Sequence, residues 1–295
     1  MKYQEKAVNF SCGDNRLFGI LSTPHGAKKK GILFVVGGPQ YRAGSHRQFT
    51  LLARQFASHG VPAMRFDYRG MGDSEGEPRD FTRVDEDIRA AIDSFFLQVP
   101  ELNEIALWGL RDGASGALFY AHHDPRVTGL VLLNPWVRTE QGAAKAYLKH
   151  YYVQRLFDGE FWKKIITGQF SLFTSARSFF QQISKLRSPE KILTHSNVRA
   201  APESNDESLP QKMARCLRLF KGRTLIILCG EDLTAQEFAD VAATSQEWKS
   251  LMSLPQVSQH TLAEANHTFS QRRWREQIGD WTIAWVNSEP SQNSE

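Results

Sequence analysis

Trp108-Gly109-Leu110-Arg111-Asp112-Gly113-Ala114 stands between an apolar, strand-like run (Ile105 to Trp108) and a helical stretch (Ala114 to His122). Small residues two before and two after a central residue permit a very tight strand-to-helix turn. Such a turn lifts the central side chain over the end of a sheet and aims the following backbone N–H groups at the same point. This is the construction of a nucleophile elbow. The central residue here is Arg111, whose guanidinium stays protonated and offers no lone pair with which to attack a carbonyl. Sliding the frame to Asp112 puts bulky Leu110 where a small residue is needed, and Ser115 lies one helical turn further on. The turn is present and the nucleophile is missing.

Outward from the elbow, strands and helices alternate. Upstream, Lys6 to Phe10 and Arg16 to Leu21 read as two short strands around a Cys12-Gly13-Asp14-Asn15 turn. The apolar run Ile32 to Val36 suits a strand buried on both faces. Gln48 to Ser58 is helical in spacing, Val61 to Phe66 a strand, and Val84 to Phe96 helical again. Downstream come strands at Val127 to Leu133, Thr224 to Leu228 and Val257 to Leu262, a helical stretch through Trp248, and a last helix near Trp274 to Val286. Alternation with helices of this length implies crossover units, hence an α/β class with a mostly parallel central sheet flanked by helices. The pattern stops from Asn134 to Lys221, which is far too long for an ordinary loop. Its first part is rich in aromatic residues, among them Tyr147, Tyr151, Phe161, Trp162 and Phe173, and Ser188 to Gln211 is polar with the look of a flexible loop. The expected organisation is therefore a core of residues 1–135 and 222–287, a mostly helical cap insertion at 136–221, and a flexible tail at 288–295.

Two further residues fall where a catalytic triad needs them. Asp232 follows a late strand and is the candidate orienting acid; His267 follows the last strand and is the candidate general base. Elbow, acid, then histidine is the chain order of triads on open α/β sheets. Val36-Gly37-Gly38-Pro39-Gln40 follows the first parallel strand, the place for the other half of an oxyanion hole. Pro39 has no N–H, so the donor there is Gly38 or Gln40, with Asp112 supplying the elbow's own N–H. Gly70-Met71-Gly72-Asp73 lacks the Gly-Lys-Ser/Thr ending of a phosphate loop, and no zinc-ligand spacing is present. No cofactor or metal is expected.

The 295 residues are 41% hydrophobic and 23% charged, as suits a globular chain with a substantial core. No apolar run approaches the roughly 20 residues of a membrane-spanning helix, and the first residues carry no secretory pattern. Three scattered cysteines make no disulfide frame or metal knuckle. These features point to a cytoplasmic protein with no integral membrane segment. The net charge of +4 hides an asymmetry: residues 138–223 carry 16 Lys and Arg against 7 Asp and Glu, and the remainder carries 20 against 25. A basic cap favours an acidic ligand or a peripheral or protein contact, or is simply a solvated face. Nothing indicates nucleic acid as the partner.

The runs Gly38-Pro39-Gln40-Tyr41-Arg42, Gly44-Ser45-His46-Arg47-Gln48-Phe49, Asp67-Tyr68-Arg69-Gly70-Met71-Gly72-Asp73-Ser74, Asn134-Pro135-Trp136-Val137-Arg138-Thr139-Glu140 and His267-Thr268-Phe269-Ser270 resemble the exosortase A system-associated hydrolase 1 family over nearly the full length. The Asp67 to Ser74 run is generic to α/β-hydrolases, whereas the first and fourth are more specific. The resemblance implies an α/β-hydrolase fold and a hydrolase in a Gram-negative setting, encoded beside exopolysaccharide and protein-sorting machinery. The family's elbow carries Cys at its centre in a Gly-Leu-Cys-Asp run. Asp112 matches that run and Arg111 departs from it, which touches activity rather than fold. Two readings follow. One is an acyl (ester or thioester) hydrolase scaffold with Arg111 at the nucleophile position. The other is a pseudoenzyme that binds an acyl, glycan or lipid-linked small molecule.

Overall fold

A computed structural model describes residues 2–26, 29–38, 40–137 and 207–288. The chain divides into two compact units, Met1–Glu140 with Ser204–Glu295, and Gln141–Glu203. All described residues belong to the first. The aromatic-rich stretch, the polar run before 207 and the tail beyond Ser288 lie outside them.

Eight strands form one sheet in the order β1-β2-β4-β3-β5-β6-β7-β8. β1 (Tyr3–Cys12) and β2 (Asn15–Pro24) form an antiparallel hairpin, and β2 pairs antiparallel with β4 (Ala63–Asp67). From β4 onward the pairing is parallel through β3 (Lys30–Val35), β5 (Glu104–Leu110), β6 (Val127–Leu133), β7 (Arg223–Glu231) and β8 (Val257–Asn266). The expected mostly parallel sheet with flanking helices is the one observed.

The helices divide between its two faces. α1 (Gln48–Ser58) and α7 (Arg272–Asn287) cover one, packing Phe49, Phe56, Trp274 and Ile278 against Ile32, Phe34, Trp108 and Val131. α2 (Asp85–Gln98), α3 (Asp112–Ala121), α4 (Leu209–Leu219), α5 (Leu233–Thr244) and α6 (Gln246–Met252) contribute to the core on the other, with Leu33, Val35, Leu107 and Leu130. Successive strand residues thus serve opposite faces, and both faces are apolar because both are covered.

Two boundaries differ from those expected. The core resumes before residue 222, because α4 buries Met213, Ala214, Cys216 and Leu217 against it. Pro210, which looked like the end of a loop, sits in the first turn of α4, where its missing N–H costs nothing. Ser208 and Gln211 close a capping box around it. Ser288, read as the start of a loose tail, accepts hydrogen bonds from Arg223 through its carbonyl at 2.6 Å and its hydroxyl at 2.7 Å.

Candidate active site

The parallel strands all deliver their C-terminal ends to one edge of the sheet, where β3, β5, β6, β7 and β8 run into Gly37, Arg111, Asn134, Asp232 and His267 respectively. This is the edge at which open α/β sheets place their ligands.

Arg111 has φ +56° and ψ −122°, a conformation that costs a non-glycine residue on the order of 1–3 kcal/mol. Backbone bonds hold it there. Its N–H donates to the Leu133 carbonyl at 2.9 Å, and its carbonyl accepts from Ala114 at 3.0 Å, Ser115 at 3.1 Å and Trp136 at 3.3 Å. The flanking glycines are needed for space. A Cβ on Gly109 would stand 2.5 Å from the Gly113 carbonyl oxygen, and one on Gly113 only 2.4 Å from that of Val35. Ser115 is buried with its hydroxyl exchanging hydrogen bonds with the Trp136 backbone at 2.9 and 3.1 Å, so it is structural. The Arg111 guanidinium lies over the Trp136 ring, 5.1 Å from its centroid.

Asp112 turns its carboxylate toward the loop after β3. It accepts the Gly113 N–H at 3.2 Å and the Gly38 N–H. A Cβ on Gly37 would sit 2.1 Å from Asp112 Oδ1, so the loop passes the carboxylate at a distance only glycine allows. Burial raises the pKa of Asp112, and Arg111 with these N–H groups offsets part of the rise. Gly38 and Asp112, both expected as oxyanion donors, are therefore brought together, but the Gly38 N–H is directed at an internal carboxylate. Among the described residues Gln40 makes no hydrogen bond to this group. Pro39 lies outside the described residues.

Asp232 is 5% exposed and caps α5. Its Oδ1 accepts the Thr234 N–H at 2.9 Å and its Oδ2 accepts from Asn134 Nδ2 at 2.7 Å. Asn134 is completely buried, with φ +44°, and its Oδ1 accepts the Cys229 N–H at 2.9 Å. One side chain thus ties the end of β6 to the end of β7. It also orients the acid. Burial, partly offset by Asn134, pushes the Cys229 thiol up to about 12, which leaves it inert as a nucleophile at neutral pH. His267 is exposed, and no hydrogen bond joins it to Asp232 in the structure. The structure thus lines up elbow and acid on the same edge without closing an acid–histidine pair. Nor does Arg111 pair with Asp232.

The Asp67 to Ser74 run is a loop lock. Asp67, at the end of β4, accepts the Arg42 N–H at 2.6 Å and binds the Arg42 guanidinium, which also reaches Asp73. A Cβ on Gly72 would lie 2.2 Å from Asp67 Oδ2, so this glycine serves packing rather than phosphate binding. Arg69 places its N–H, Nε and Nη2 on the buried Asp87 at 2.8 to 3.0 Å. Among the described residues no group of His, Cys, Asp and Glu could hold a metal ion, and no helix is long and apolar enough to cross a membrane.

Sequence reasoning missed Asn134 and Trp136 as members of this edge. Their signal was the Asn134-Pro135-Trp136 run directly after an apolar strand.

Residues 27–200 match the Hydrolase_4 family, described as serine aminopeptidase, S33. Among curated proteins, polyketide transferase grgF of Penicillium sp is 36% identical over 91 residues, 29% of this chain and 31% of that protein. Acyltransferase drtE of Aspergillus calidoustus is 29% identical over 116 residues, 38% of this chain and 37% of that protein. The chain matches about a third of the length of these relatives. A solved esterase, Pf2001 of Pyrococcus furiosus, superposes with TM-score 0.61 at 15% identity, covering 97% of this chain and 94% of that one. At such identity the likeness is one of fold.

Proposed function

The chain belongs to the serine aminopeptidase S33 family of α/β-hydrolases, and from that premise we propose that it is an acyl-binding scaffold of this family that forms no covalent acyl-enzyme. The observation that carries this is the elbow itself. Arg111 holds the strained φ and ψ of the turn between two glycines that tolerate no Cβ, yet its side chain cannot act as a nucleophile. The similarity to a polyketide transferase and an acyltransferase favours an acyl-type small molecule. The Gly38 to Arg42 and Asn134 to Glu140 runs support placement with the exosortase A system-associated hydrolases and a cytoplasmic role beside exopolysaccharide machinery. In this reading residues 136–221 include the cap that sets ligand choice, with contact to a membrane surface or protein partner through its basic, aromatic composition.

A second reading keeps turnover. His267 is exposed and unpaired with Asp232, so it has access to water and could serve as general base for direct water attack, slower than covalent catalysis. Hydrolysis of short-chain chromogenic esters and thioesters separates the two, comparing the unaltered protein, His267→Ala, Arg111→Cys, and Arg111→Cys with His267→Ala. The expected result is turnover from Arg111→Cys alone, lost with His267→Ala. Activity of the unaltered protein that is indifferent to position 111 would sink the elbow assignment. Activity of the unaltered protein lost in His267→Ala would favour the water-attack reading.

A further inference from the structure

We propose that the elbow recognises an anionic headgroup, a carboxylate or a phosphate on an apolar chain, through the Arg111 guanidinium. This deepens the non-covalent binding reading and rests on it for the location of the ligand.

The argument is an accounting of counter-charges. Arg111 is half-buried, and a guanidinium withdrawn from water needs an anion or hydrogen-bond acceptors in exchange. Several other arginines of this unit have them, although among the described residues the half-buried Arg79 and Arg275 have none. Arg42 holds Asp67 and Asp73, Arg65 holds Glu5, Arg69 holds Asp87 and Glu86, and Arg126 holds Asp124 and Asp93. Arg223, which lacks a carboxylate, donates two hydrogen bonds to Ser288. Among the described residues Arg111 has neither an ion pair nor a hydrogen bond from its side chain; its guanidinium lies over the face of Trp136.

Two carboxylates belong to the same edge, and both are committed elsewhere. Asp112 is engaged by the Gly38 and Gly113 N–H groups, and Asp232 by Thr234 and Asn134. Asp112 lowers the net charge nearby without forming a bonded pair with Arg111. Stacking on an indole occupies a face of the guanidinium and leaves its in-plane N–H fork unspent. That fork matches a carboxylate or phosphate in bidentate fashion, which a compact ammonium does not. The strained elbow and the Trp136 ring hold the fork in place, so little side-chain entropy remains to be lost on binding.

The test is calorimetric titration of the full chain with octanoate, octyl phosphate and neutral 1-octanol, repeated with Arg111→Gln and Arg111→Lys. The unaltered protein should bind one or both anions at least about tenfold more tightly than octanol, the least that a charge-assisted pair supplies. Arg111→Gln should erase that preference and Arg111→Lys should retain only part of it. Preference for octyl phosphate would point to a phosphate-bearing lipid, and preference for octanoate to a free acyl acid. Either supports the proposal. Equal affinity for octanol, no binding of either anion, or anion binding unchanged in Arg111→Gln with native melting behaviour would each overturn it. Trapping of a covalent acyl-enzyme on the unaltered protein would count against the non-covalent reading while leaving the titration standing. Loss of the anion preference would do the reverse.

Discussion

Gly113→Ala tests whether the elbow is still built to full tightness although its nucleophile is gone. The position lies in the first turn of α3 with an ordinary helical backbone, since it is absent from the glycines with positive φ. Helix propensity alone would therefore favour alanine by at most about 1 kcal/mol. Against this, the new Cβ would meet the Val35 carbonyl oxygen at 2.4 Å, the Gly37 nitrogen at 2.9 Å and the Val36 carbonyl carbon at 3.1 Å. All three are backbone atoms of β3 and the loop after it, so no side chain can swing aside. α3 would have to back away from the sheet, and overpacking of this kind typically costs about 1–3 kcal/mol, or more when backbone must move. The net expectation is a loss on the order of 2 kcal/mol. Gly116 of the same helix is the internal control. Its Cβ would meet the Phe81 carbonyl oxygen at 3.0 Å and otherwise only side-chain atoms beyond 3.4 Å, so Gly116→Ala should stay within about 1 kcal/mol of the unaltered protein. Urea unfolding monitored by circular dichroism measures both midpoints. Equal midpoints for the two variants, or a stabilised Gly113→Ala, would show that the β3 loop and α3 are not in the contact described, and the elbow argument would fail with it.

Asn134→Ala should destabilise the fold by about 2–4 kcal/mol in the same assay, because it strands the Asp232 carboxylate and the Cys229 N–H, both buried. Asn134→Gly, which tolerates φ +44° but makes neither bond, should lose nearly as much; a variant as stable as the parent would remove Asn134 as the tie between β6 and β7. Cys12, Cys216 and Cys229 are all buried with thiol pKa values raised chiefly by burial, Cys229 to about 12. A folded-state pKa above the unfolded value of roughly 8.5 means that the folded state keeps its protons longer. Their contribution to stability should therefore be constant below that pH and be lost as pH rises from there toward 12. Ellman's reagent at pH 8 should titrate no thiol until denaturant is added, and rapid labelling of the native protein would contradict this packing.

The centre of the sheet was legible because its strands, such as Lys30–Val35 and Val127–Leu133, are largely continuous apolar runs, which suit a sheet covered on both faces. Val127–Leu133 and Gln48–Ser58 have the same bounds in sequence and structure: the first is apolar but for the exposed Thr128, and the second is a helix that puts Phe49, Leu52, Ala53 and Phe56 on one face. α4 was not legible. A proline and a polar run announce a loop as readily as a helix N-terminus, and only its packing against the core decides between them. At the candidate site, the positions of Arg111, Asp232 and the Gly37-Gly38 turn could be read from where strands end. Their partners could not. Asn134 reaches Asp232 across 98 residues of sequence, and no local pattern announces a bond between neighbouring strand ends. Asp112 was read for its backbone N–H, whereas its side chain is what the glycine loop wraps.

These two carboxylates explain how an elbow tolerates arginine at all. The turn needs small flanks at Gly109 and Gly113 and backbone bonds to Leu133, Ala114, Ser115 and Trp136, none of which involves the central side chain. Any residue that survives the strained φ can therefore occupy the apex without cost to the packing beneath it. The electrostatics lean on the apex only at Asp112. Asp232 draws its stabilisation from Asn134 and Thr234, and Asp112 from Gly38, Gly113 and, through space, Arg111. Neither needs an imidazole or a thiolate to satisfy it. A triad whose acid depends on its histidine would be expected to unravel once the nucleophile was replaced. Here both carboxylates are satisfied by their own and neighbouring strand ends, with no bond from the apex side chain, so a cation at the apex leaves the scaffold intact. If the proposed anion recognition holds, the apex trades attack on a carbonyl for a fixed cation that an anion can meet.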